Sequence, residues 1–117
     1  MKQRSVGSSG LRVSRLGLGT LGWGSGTDGD DAASQLAAFA EAGGTLVDTS
    51  PAYGDGRAQR VLAEVLDDVV PRGRLIISSE AGVSRRGGRS TIDCSRRALL
   101  NQLDSTLREL GTDYLDL

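Results

Sequence analysis

Short apolar runs alternate along this chain with stretches of helical periodicity. Residues 2–14, KQRSVGSSGLRVS, alternate around SSG and predict a short β-hairpin. RLGLG (15–19) reads as a short strand, and GTLGWGSGTDG as a glycine-rich loop. A helix is expected over 31–42, DAASQLAAFAEA, with Leu36, Phe39 and Ala40 on one face. Asp30 and Asp31 suit its N-terminus, where carboxylates meet free N–H groups and the positive dipole end. Gly43 and Gly44 stop it. TLVD (45–48) is a short apolar strand. In RAQRVLAEVLDDV (57–69), Val61, Leu62, Val65, Leu66 and Val69 recur at helical spacing before Pro71 and Gly73. RLIISS (74–79) reads as a strand and 80–94, EAGVSRRGGRSTIDC, as a long polar loop. SRRALLNQLDSTLREL (95–110) carries the strongest helical signal. Its stripe of Leu99, Leu100, Leu103, Leu107 and Leu110 is too short for a coiled coil and reads as core against a sheet. Gly111 closes this helix, and DYLDL (113–117) begins another strand.

The order is a hairpin followed by β-α-β-α-β-α-β, an α/β arrangement. Strands alternating with helices imply parallel pairing and right-handed crossovers. Apolar strands imply that both faces are covered. Two architectures satisfy this order: an open doubly wound sheet, or about half of a (β/α)8 TIM barrel. A full barrel needs about 250 residues, and this chain has 117, enough for one small domain.

Composition narrows the chemistry. With 14 basic and 15 acidic side chains, no strong field favours nucleic acid or an anionic membrane. No apolar run approaches the roughly 20 residues that span a bilayer. The N-terminal MKQRSVGSSG lacks a signal peptide's apolar stretch, and a single cysteine, Cys94, fits a cytoplasmic setting. Histidine is absent, which removes Ser-His and Cys-His nucleophiles and most zinc sites, so no metal site is expected. Acid–base work falls to Asp, Glu, Tyr, Lys or Arg, and the only lysine is Lys2.

Gly17-Leu-Gly19-Thr-Leu-Gly22 matches the dinucleotide fingerprint G-x-G-x-x-G in form. That motif requires a helix to open at its third glycine, and none is expected before about Asp30. The stretch VDTSPAYGDG is more informative. In a parallel barrel, reactive groups sit at the C-terminal ends of strands. Thr20, Asp48 and Glu80 end the first three parallel strands and would share one rim, with Tyr53 in the loop beside them. A tyrosine so placed can give a proton to a carbonyl oxygen; the plainer alternative is a loop cap and an apolar cover. Arg85, Arg86 and Arg89 in SRRGGRS could grip a phosphate or simply be solvated. Cys94, near a helix start, reads as an inert small residue.

GLRVSRLGLGT, EAGGTLVDTSPAYGDG and LRELGTDYLDL together resemble the N-terminal part of the aldo-keto reductases, over nearly the whole chain. The resemblance implies a (β/α)8 barrel with an N-terminal hairpin closing its bottom. It implies reduction of aldehydes or ketones to alcohols with NADPH, on small carbonyl substrates. Carried over, Asp48 matches the family's catalytic aspartate and Tyr53 its general acid. Gly19, Thr20 and Leu21 match the loop beside the nicotinamide, with Trp23 next to it. Where the family places its catalytic lysine, this chain has Glu80, after Ser79. The family's histidine would lie beyond Leu117, as would most contacts to the adenosine phosphate.

Glu80 has a physical consequence of its own. A lysine beside Tyr53 would lower the phenol pKa, and a glutamate does the reverse. Two carboxylates at one rim also disfavour each other's ionisation. The expectation is therefore a partial reductase domain over residues 1–117, truncated in its fourth barrel strand and inactive as an isolated chain. A non-catalytic relic or interaction module is the alternative, and a small Rossmann-like dinucleotide binder the third reading. Open sheet edges would favour self-association or pairing with a second-half fragment.

Overall fold

The computed structural model describes residues 1–117, the side chain of residue 86 excepted. Strands β1 (Gln3–Ser5) and β2 (Arg12–Ser14) form the expected antiparallel hairpin, with Arg4 opposite Val13. Its Ser14 ties it to the rest: the Ser14 Oγ accepts from the Thr45 and Leu46 N–H groups at 2.9 and 3.1 Å.

Strands β3 (Gly17–Gly19), β4 (Leu46–Asp48) and β5 (Ile76–Ser78) make a parallel sheet in that order. Register places Gly17, Leu46 and Ile76 in one row and Gly19, Asp48 and Ser78 in another. Because side chains alternate along a strand, the row between them, Leu18, Val47 and Ile77, points the other way. Val47 and Ile77 are fully buried there among Leu36, Leu62 and Leu75. The opposite face, with Leu46, Asp48, Ile76 and Ser78, stays half-buried.

Helix α1 (Gly29–Glu41) begins where its carboxylates predict. Asp28 is the N-cap, its side chain accepting from the Asp31 N–H, with Asp30 and Asp31 in the first turn. No helix opens at Gly22: residues 21–27 are turns around an isolated bridge between Trp23 and Thr27, so the Rossmann context is absent. Helix α2 (Arg57–Val65) is shorter than the 57–69 expected. Leu66 turns extended at ψ 140° and Asp67 adopts φ 66°, after which Leu66 bridges to Val70. Buried Leu66 and the half-buried Val69 still join the core, which explains why the periodicity ran on. Gln59 of α2 is fully buried; its Nε2 donates to Ser79 Oγ at 3.3 Å and Thr106 Oγ1 at 3.4 Å.

Three expectations need correction. Residues 80–94 are not all loop: β6 (Val83–Arg86) and β7 (Arg89–Ile92) form an antiparallel hairpin. Its two-residue connection is Gly87-Gly88, at φ 54° and 77°, the left-handed pair that a tight hairpin turn demands. Helix α3 (Arg96–Leu110) forms with Ser95 as N-cap and Gly111 in the left-handed C-cap. Its leucine stripe, however, is not core. Leu110 is buried, but Leu99, Leu100 and Leu103 are exposed, Leu100 at 47%. The helix packs on α2 through Thr106 and Leu110, and no described element covers the rest of the stripe.

The third correction concerns 113–117, which is not a strand. It nevertheless runs beside β5: Leu117 donates its N–H to the Ile77 carbonyl and accepts from the Ser79 N–H. One arginine holds it there. Arg72, only 7% exposed, lies in a 3-10 turn over Arg72–Arg74. Its Nη2 donates to Asp116 Oδ2 at 2.7 Å and to the Tyr114 carbonyl at 3.0 Å. Its guanidinium stacks 3.9 Å from the Tyr114 ring centre. Asp116 Oδ2 also accepts from the Ile77 N–H at 2.8 Å, so a carboxylate takes the place of a ladder carbonyl.

Candidate active site at the sheet rim

The rim is assembled by register. Gly19, Asp48 and Ser78 end their strands side by side, so the residues that follow emerge on one edge. The loop after β4 then turns sharply. Ser50 Oγ accepts from the Ala52 N–H at 3.1 Å, and the Tyr53 N–H returns to the Ser50 carbonyl at 3.0 Å. Gly54, Asp55 and Gly56 all adopt positive φ, at 60°, 55° and 84°. Asp55 there is a non-glycine in a conformation that glycine usually supplies. This turn folds the Tyr53 side chain back over the strand end.

There its phenol meets Asp48: Tyr53 Oη donates to Asp48 Oδ2 at 3.1 Å. Partial burial raises the Tyr53 pKa above its ordinary 10.0, and the hydrogen bond to Asp48 and the charges of Asp48 and Glu80 raise it further. Each cause stabilises the neutral phenol over the phenolate. Glu80 joins the group through Ser50, whose hydroxyl donates to Glu80 Oε2 at 3.1 Å.

The remaining candidates divide. Thr20 ends β3 as expected, but its hydroxyl faces inward, donating to the Asp48 carbonyl at 3.1 Å and Thr49 Oγ1 at 2.9 Å. Its side chain is fully buried and stiffens the rim from below. Trp23 is likewise internal rather than lining a pocket. It is 2% exposed, sits in the core, and donates its indole N–H to Gln35 Oε1 at 3.0 Å. A bulky aromatic in a glycine-rich loop finds its largest apolar burial against α1. Gly19 and Leu21 are exposed. A Cβ built on Gly19 meets no atom within 4 Å, so open space lies over the end of β3 next to Asp48. Ser50 and Thr49, which orient Glu80 and Thr20, were not singled out by sequence; both are loop hydroxyls with no motif to mark them.

Arg85 stands on the β6–β7 hairpin and shares a shallow cleft with Arg57, Asp55 and Gly54. Exposed Arg89 lies on the same hairpin, and the side chain of Arg86 lies outside the described residues. Among the described residues no three metal-ligating side chains cluster. Among the described residues no helix is long and apolar enough to cross a membrane.

A sequence model described as the Aldo/keto reductase family matches residues 15–117. Aldo-keto reductase YhdN of Bacillus subtilis (strain 168) is 29% identical over 122 residues, spanning 100% of this chain and 37% of its own length. Methylglyoxal reductase YeaE of Escherichia coli (strain K12) is 33% identical over 121 residues, spanning 100% and 38%. Among solved structures, a putative aldo-keto reductase from Pseudomonas aeruginosa superposes with a TM-score of 0.86 at 34% identity, covering 97% of this chain and 43% of that one. The holo form of aldo-keto reductase AKR11C1 from Bacillus halodurans gives 0.85 at 28% identity, covering 98% and 38%. This chain belongs to the aldo/keto reductase family. It spans less than two-fifths of these curated relatives, and its α/β fold matches part of the solved aldo-keto reductase structures.

Proposed function

We propose that the rim formed by Asp48, Tyr53 and Glu80 is the proton-donating part of a site that reduces small aldehydes or ketones to alcohols. The observation that carries this reading is the Tyr53–Asp48 hydrogen bond of 3.1 Å at the shared end of parallel strands. Tyr53 holds the transferable proton on Oη and gives it to the oxygen that gains charge as the carbonyl is reduced. Asp48 fixes the direction of the phenol. The cofactor is NADPH, which supplies the hydride when bound. Gly19 and Leu21 fit its nicotinamide end, since a flat ring needs the open space that a side chain on Gly19 would fill. The buried Thr20 and Trp23 support the floor instead of touching it. Residues 1–117 are read as one partial barrel domain: the hairpin, then β3, β4, β5 and the 113–117 segment as successive barrel strands. The setting proposed is cytoplasmic.

A second reading is favoured by Glu80. Burial and the Asp48 hydrogen bond raise the phenol's pKa, and the charges of Asp48 and Glu80 add to the rise, so Tyr53 is a weaker acid than a lysine neighbour would make it. On this reading the chain keeps the scaffold and lacks the chemistry. One series separates the two. NADPH consumption with small aldehydes and ketones is measured for this segment, Tyr53→Phe and Glu80→Lys within a completed barrel, with NADPH fluorescence titration alongside. The reductase reading expects turnover that Tyr53→Phe abolishes and Glu80→Lys raises. A chain that neither binds NADPH nor gains turnover with Glu80→Lys is the silent scaffold.

A further inference from the structure

The hydroxyl of Ser50 has a fixed direction. The residue is 1% exposed, so water does not compete for it. The Ala52 N–H can only donate, and it does so to Ser50 Oγ at 3.1 Å. Glu80 Oε2 lies 3.1 Å from the same oxygen, and a carboxylate can only accept. The single Ser50 proton therefore points at Glu80.

That bond joins two strand ends. Ser50 stands two residues past β4 and Glu80 two residues past β5. The Ser50 carbonyl also accepts the Tyr53 N–H at 3.0 Å, so the hydroxyl and the phenol belong to one tight turn. A free glutamate side chain samples several rotamers, and a contact is needed to hold its charge in one place. Two carboxylates act on the phenol: Asp48 from the end of β4, bonded to it, and Glu80 from beyond β5. Asp55, Arg57 and Arg85 line a cleft along the same turn.

We propose that Ser50 is a positioning residue, whose hydroxyl holds the Glu80 carboxylate at a set distance from the Tyr53–Asp48 pair. Position 80 is then a built part of the rim, served by a buried hydroxyl, and not merely a place without a lysine. The Ser50 hydroxyl does not bond the phenol and acts on it through Glu80. Glu80 opposes loss of the Tyr53 proton, after burial and Asp48 have done so. Coulomb energy falls with distance, so a Glu80 released from Ser50 opposes it less. The inference rests on the rim assigned above and deepens that reading. Its test involves neither cofactor nor substrate, so the two can fail separately.

The test is a pH titration of the tyrosine rings by carbon magnetic resonance, in the completed barrel used for turnover. The Tyr53 signal is the one that Tyr53→Phe removes, and Tyr114, stacked on Arg72, is the internal control. Ser50→Ala should move the Tyr53 midpoint to lower pH and leave Tyr114 in place. Glu80→Gln removes the charge and keeps the shape, and should move it the same way, at least as far. Ser50→Ala added to Glu80→Gln should move it no further, as expected of residues that act through one another. Glu80→Asp leaves Ser50 and its turn intact but is one methylene short of the hydroxyl, so Tyr53 should again titrate below the parent. If Ser50→Ala does not fold, Glu80→Asp decides alone. An unmoved Tyr53 in Ser50→Ala or in Glu80→Asp overturns the proposal. So does a Ser50→Ala shift that persists undiminished beside Glu80→Gln, since Ser50 would then act through its turn. The expected shifts without turnover would sink the reductase reading and leave this one standing.

Discussion

Two halves of this molecule obey the same hydrophobic spacing with opposite results. In α1 and α2 the periodic positions are the core: Leu36 and Leu62 are fully buried between helices and sheet. In α3 the same spacing leaves Leu99, Leu100 and Leu103 in the open. Propensity and capping are no worse there; Ser95 caps the start and Gly111 the end. The difference is the partner layer. Beneath α1 and α2 lie Val47 and Ile77, whereas α3 is flanked by the polar start of β6, through Gln102 and Ser84, and by a short segment tied to β5 by Arg72. Periodicity thus states which face a helix offers, and the neighbouring layer decides whether the offer is taken.

Substitutions can test that contrast, beginning with the largest effect. Leu62→Ala should cost about 4 kcal/mol in urea unfolding, because a fully buried leucine leaves a cavity. Arg72→Ala should cost about 3 kcal/mol, since Asp116 loses the partner that offsets its burial. Its signature is local: hydrogen exchange at the Ile77 and Ser79 amides should quicken while amides in α1 hold. Tyr53→Phe should cost about 1 kcal/mol, the worth of one hydrogen bond. The parent's Tyr53 pKa is raised, so its contribution is present below the ordinary value of 10.0 and is lost as pH climbs through the folded value. Stability of Tyr53→Phe should therefore fall less between pH about 9 and 12 than that of the parent. Smallest of all, Leu100→Ala should lie within about 0.5 kcal/mol of the parent. A loss there as large as at Leu62 would show that the leucine stripe is covered after all.

The initial hairpin, α1, β4, β5 and the length of α3 were legible because each has a local signal: alternation, a cap, a stop glycine. The turn at Asp67 was not, since an aspartate in the left-handed region leaves no trace in apolar spacing. The β6–β7 hairpin was hidden in a polar stretch, although Gly87-Gly88 between Val83 and Ile92 is a turn signal in retrospect. At the rim, strand ends located Asp48, Tyr53 and Glu80. What strand ends could not say is which way a side chain faces, and so Thr20 was expected on the shared rim and Trp23 beside the loop next to it. Their burial follows from bonds to Thr49 and Gln35, residues distant in sequence.

The placement of the aromatic residues has a practical result. The chain contains one tryptophan and two tyrosines. Trp23 sits at the junction of its loop with α1, far in the chain from the Arg72 clasp, so its emission follows the well-packed half. Tyr114 lies under the Arg72 guanidinium, so its ring signals in a magnetic resonance spectrum follow the other half. Without any label, the protein therefore carries a separate optical and magnetic gauge for each of its two regions, and melting them in one sample reveals whether they come apart together.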